Sequence, residues 1–252
     1  MFMNKIVILT SVLSLTTTIF LFMYLIPYFS KKKIRQGKFD LFQFLNLFFA
    51  PVLVIPMLYF LKRIIETNPS NYVFIWTKYL AELIFLALIY LLVLGLGIHA
   101  SAVVISKHMK DLSKHKAWEI TEFFHHQFSH LLITASAVFI MFSFAILEIN
   151  RPNLIPLADF ELVILLTSGI VVGIILGIAS IEGSIPNLML LLLYVLSLAV
   201  PFIFVKHNLN YRLFPFTTYI ETVYIVSVIT LLFYRHKKKG FPEIVPQYFF
   251  DE

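Results

Sequence analysis

The stretch TEFFHHQFSH, residues 121–130, puts Glu122, His125, His126 and His130 into about three helical turns, with Glu119 just upstream. In a helix, His126 and His130 stand four apart and share a face, and Glu122 lies one turn before them on the same stripe. His99 belongs to the preceding apolar run. An HxxxH pair joined by a third histidine from a neighbouring helix is a ligand set that catalytic Zn²⁺ uses, with its fourth position open to water. His99, His126 and His130 are therefore the candidate metal ligands. Glu122, Glu182, Asp111 and Ser106 are the candidate catalytic groups, as general bases on a metal-bound water or as groups that orient the rings. His125 points about 100° away from His126, toward Ser129, and stands as a reserve ligand. A helix N-terminus disfavours imidazolium and so favours the neutral form that binds metal, while the glutamates act in the opposite sense. The same residues also fit a polar cluster that satisfies its own hydrogen bonds, and HxxxH alone does not choose between the two.

Elements that could hold such a site are apolar throughout. The chain has 252 residues, of which 60% are hydrophobic and 13% charged, and its mean hydropathy is +0.88. Soluble domains are about 25% charged, so lipid is the natural solvent for this composition. Seven runs are long enough to cross about 30 Å of hydrocarbon as helices, near 6–29, 40–61, 73–105, 119–147, 160–181, 186–205 and 215–234. No alternating ten-residue strands suggest a barrel. The expected architecture is a single all-α membrane bundle covering residues 1–252. The first run is much longer than the about 7–15 apolar residues of a signal peptide and is read as a retained helix.

Of 20 Lys and Arg, thirteen fall in the first loop, the third loop and the tail, on one side of that bundle. The positive-inside rule makes that side cytoplasmic, with the N-terminus outside. It also accounts for the +6 net charge without nucleic acid. The absence of Cys removes disulfides and thiolate metal sites. With this topology, the end of helix three and the start of helix four lie at one depth, so His99, His126 and His130 are expected to converge at the inner face. Gly95 and Gly97 permit a close crossing at the depth of His99, and Gly169, Gly173 and Gly177 form a small-residue stripe for helix packing. Glu82 is expected to pair with Lys78, and Glu221 with Thr218 or Tyr224.

Seven helices, an outside N-terminus, three inner-face histidines including HxxxH, and a nearby Ser and Asp resemble the ceramidase-like (CREST) superfamily of membrane metal hydrolases. The resemblance implies a zinc ion, with His99 as the lone histidine, Ser106 or Ser101 as the serine, Asp111 as the acid, and His126 with His130 as the pair. It rests on about five residues and a helix count. The HxxxH lies on helix four rather than seven, and the serine follows the histidine instead of preceding it. The reading this supports is a zinc-dependent hydrolase of a lipid-like amide or ester at the cytoplasmic leaflet, in a bacterial or archaeal plasma membrane. Two alternatives stay open: a b-type haem protein with His99 and His130 as axial ligands, and a transporter or scaffold without chemistry. The last helix has no lysine for a retinal Schiff base.

Overall fold

A computed structural model of the chain describes residues 4–25, 50–70, 78–108 and 116–237. These residues are helical with short connections, and they contain no strand. In chain order they form α1 (Lys5–Leu25), a π-helical turn (Ala50–Val54), α2 (Ile55–Glu66), α3 (Lys78–His108) and α4 (Lys116–Phe123). There follow a second π turn (Phe124–Phe128), α5 (Ser129–Ile149), α6 (Asp159–Glu182), α7 (Pro186–Lys206) and α8 (Pro215–Lys237). Five stretches are long and apolar enough to cross a membrane: Glu82–Ser106, Lys116–Ile149, Asp159–Ile181, Pro186–Lys206 and Pro215–Lys237. The first three expected runs extend beyond the described residues, which retain α1, α2 and α3 of them.

These helices have apolar residues on the outside as well as the inside. Leu83, Tyr90, Leu191, Phe202 and Phe233 are exposed, while Phe144, Leu193, Phe216, Tyr224 and Leu231 fill the interior. Water does not tolerate such a continuous apolar outer surface, whereas hydrocarbon does.

Two close crossings organise the bundle. The glycine stripe of α6 lies on α8 in parallel: a Cβ on Gly169 would meet Thr222 at 2.9 Å, one on Gly173 would meet Val226 at 2.8 Å, and one on Gly177 would meet Thr230 at 2.8 Å. Ser227 Oγ donates to the Gly173 carbonyl at 2.9 Å, so the contact is backbone-close and hydrogen-bonded. The second crossing pairs α3 with the α4–α5 helix in antiparallel register. A Cβ on Gly95 would stand 2.9 Å from Ile133, His99 faces Ser129, and Ser106 meets Glu122. Gly97 faces open space and plays no part in this crossing.

The end of the bundle away from the histidines carries its own polar layer. Glu148, fully buried, accepts from the backbone N–H groups of Phe216 (3.1 Å) and Thr217 (2.7 Å) and from Thr217 Oγ1 (2.8 Å). It thus supplies acceptors to the orphan donors that begin α8. Glu161 accepts from the Ala158 and Asn4 N–H groups and ties α1 to α6. Lys62 is buried and donates to Glu66 at 2.6 Å and Glu82 at 2.7 Å. Glu82 is thus partnered by Lys62 of α2. The side chain of the expected partner, Lys78, lies outside the described set.

Candidate functional site

The α3/α4–α5 crossing brings the histidines together. One ring nitrogen each from His99, His125 and His130 lies within 4.8 Å of the others. Ring centroids are 4.8 Å apart for His99 and His130, 5.0 Å for His99 and His125, and 6.4 Å for His125 and His130. His99 is buried, and the other two are half-buried.

The third member of this group is His125 rather than the expected His126, for a local backbone reason. Residues 124–128 are wound as a π-helix, whose turn closes on i and i+5. The residue stacked one turn before His130 is then five back, His125. An α-helical count of four would select His126. His126 turns outward instead, with its side chain 44% exposed, and its Nε2 lies 3.1 Å from Glu122 Oε2.

Glu122, His125 and His126 form a second group whose ligand atoms also lie within 4.8 Å of one another. Two of the expected catalytic residues meet here, because the Ser106 hydroxyl of α3 donates to the Glu122 carboxylate of α4. Glu122 Oε1 is also 4.0 Å from His125 Nδ1, so this carboxylate stands between the serine and both adjacent imidazoles. Asp111 lies outside the described residues. Glu182 ends α6, and its side chain lies outside the described set.

Two residues not proposed as ligands hold the rings. Ser129 is fully buried; its Oγ donates to the His125 carbonyl at 2.6 Å and lies 3.3 Å from His99 Nδ1. A hydroxyl has one proton, and here it is already directed to a carbonyl, so toward His99 the oxygen accepts. This network assigns the His99 proton to Nδ1 and leaves the Nε2 lone pair for a metal, which is how buried partners orient metal-binding imidazoles. Gly183, the residue that caps the end of α6, lies against the His130 ring: a Cβ there would be 2.9 Å from His130 Nδ1 and 3.0 Å from Cγ. Ser184 follows with φ 59°, in the left-handed region, and α7 begins at Pro186. A tight turn thus joins α6 to α7, and it also bounds the site. Ser129 was legible as the residue four after His125, but the contact between Gly183 and His130 has no local sequence signal.

Chemically, the arrangement offers three neutral-capable imidazoles from two helices and, beside them, a carboxylate held by a serine and a more exposed histidine. No protein-family model, curated protein or solved structure matches the chain.

Proposed function

We propose that the chain is a multi-pass membrane protein that holds one divalent ion, zinc, with His99, His125 and His130. We further propose that it hydrolyses a lipid-like amide or ester at the membrane surface beside them. The observation that carries the reading is the mutual approach of three ring nitrogens within 4.8 Å. Zn–N bonds of about 2.0–2.1 Å at tetrahedral angles put ligand nitrogens about 3–4 Å apart, which small rotations of these rings reach. The Ser129 contact supports it by presenting His99 in a metal-ready tautomer.

Zinc at this place supplies a polarised carbonyl and an activated water. Glu122 is the proton acceptor in the proposal. The Ser106 hydroxyl and the His126 ring hold its two oxygens, one on each side, so it is positioned beside the ring cluster without being one of its three members. The proposed topology is seven spans with the N-terminus outside and the histidines at the cytoplasmic face, following the basic loops. The likeness to ceramidase-like hydrolases points to the same chemistry. Haem fits less well. Axial ligands stand on opposite sides of a flat macrocycle, whereas His99 and His130 meet edge to face at 86° with centroids only 4.8 Å apart.

Elemental analysis of protein purified in detergent tests this directly. The expected result is one zinc per chain, lost in His99→Ala, His125→Ala and His130→Ala and kept in His126→Ala. Absence of bound metal in the wild-type protein, after incubation with zinc and removal of the excess, would sink the reading. Zinc retained in His125→Ala and lost in His126→Ala would restore the set given by α-helical spacing. Zinc binding without amidase or esterase activity on lipid substrates would leave a metal-holding scaffold.

A further inference from the structure

A second site lies near the opposite end of α8, away from the histidines, and does not depend on the metal reading. Between α7 and α8 is a groove of about 300 Å³, lined by Val200, Pro201, Phe204, Tyr211 and Ile225, with Glu221 in its wall. It opens sideways: Pro201 is exposed, and Val205 at its rim is 82% exposed. In the proposed topology, that side faces lipid.

Both carboxylate oxygens of Glu221 are buried and lack a hydrogen-bond partner. The neighbouring hydroxyls are all committed elsewhere. Thr217 Oγ1 donates to Glu148, Thr218 Oγ1 to the Tyr211 carbonyl at 3.1 Å, Thr222 Oγ1 to the Thr218 carbonyl at 2.9 Å, and Tyr224 to the Val138 carbonyl at 2.8 Å. The expected partners, Thr218 and Tyr224, therefore do not serve Glu221. A carboxyl within an apolar span is costly and marks a site where a donor is needed.

We propose that this groove binds a membrane-borne, single-chain primary amine, with its ammonium on Glu221 and its hydrocarbon chain along Val200, Pro201, Phe204 and Ile225. Four features select that ligand. The acid calls for a cation. Its two oxygens call for N–H donors, which a primary ammonium has and a quaternary one lacks. The apolar lining calls for a hydrocarbon chain, and the lateral opening admits it from the bilayer. Glu221 lines the groove while its two oxygens are buried, so in the proposal a rotamer change brings the carboxylate to the ammonium.

Equilibrium binding of radiolabelled hexadecylamine to the full chain in phosphatidylcholine nanodiscs tests the proposal. The expected result is saturable binding of one amine per chain, at least 10-fold tighter than hexadecanol. Glu221→Gln should reduce amine binding at least 10-fold, to the level of the alcohol. Asp159→Asn, which removes an exposed acid at the same end, should leave it unchanged. Should Glu221→Gln fail to fold, Ile225→Trp fills the groove from its exposed side and should block the amine with the acid intact. Equal binding of amine and alcohol, undiminished binding in Glu221→Gln or Ile225→Trp, or equal competition by propylamine would overturn the proposal.

Discussion

Gly183 lies against the imidazole of His130 so closely that a methyl group at position 183 would stand 2.9 Å from Nδ1. Its role is to be absent from the space the ring occupies. Gly183→Ala is expected to push the His130 ring out of the cluster. Overpacking of this kind costs about 1–3 kcal/mol, which would weaken zinc binding by about 5- to 150-fold. Competition of the purified variant against a zinc-sensitive dye measures this, and wild-type affinity in the variant would show that the ring position is not critical.

Ser129 orients His99 without belonging to the triad. Removing such an orienting partner typically lowers metal affinity about 10- to 100-fold. Ser129→Ala is expected to show that loss with little change in melting temperature, and Ser129→Thr, which keeps the hydroxyl, to recover much of it. If Ser129→Ala binds zinc as well as wild type, the tautomer assigned to His99 has no functional weight.

Glu148 is predicted to matter for stability alone. Its two oxygens accept from two backbone N–H groups and a hydroxyl at the start of α8. Glu148→Ala strands those buried donors at about 1–3 kcal/mol. A thermal melt in detergent should fall clearly, while zinc stoichiometry in the surviving folded fraction stays at the wild-type value. Loss of metal from that fraction would mean that the two ends of the bundle are coupled.

The α6/α8 crossing gives a further prediction. A Cβ at Gly173 would stand 2.8 Å from both the Val223 carbonyl and Val226. Gly173→Val is expected to separate the two helices and remove the Ser227 hydrogen bond, at a cost of about 1–3 kcal/mol. Gly97→Ala, in open space, is the matched control and should be neutral. Equal melting temperatures for the two variants would refute the close packing.

How much of this was legible in the sequence depended on distance along the chain. The later apolar runs and the glycine stripe are local patterns, and the described helices follow them. The meeting of α3 with α4–α5 followed from topology: two consecutive antiparallel spans must bring the end of one beside the start of the next, hence Ser106 beside Glu122. The choice of His125 over His126 was not legible, because α-helical counting assumes 3.6 residues per turn and nothing in FHHQF announces a wider one. Lys62 with Glu82, Glu148 with Thr217, and Gly183 with His130 were hidden for another reason. Each joins elements whose mutual rotation is set by packing of the whole bundle, so no local spacing encodes it. The unmet carboxyl of Glu221 was hidden in the same way, since nearby hydroxyls suggest partners that tertiary geometry then directs elsewhere.

The wide turn at residues 124–128 makes the identity of the third imidazole a matter of winding. Deleting one residue there, Phe124 for instance, would restore α-helical winding at about 3.6 residues per turn. His126 would then stand one α-helical turn before His130 in place of His125, and the proposed ligand set would change with it. The winding of five residues, and no change of side chain, thus decides which imidazole comes beside His99 and His130.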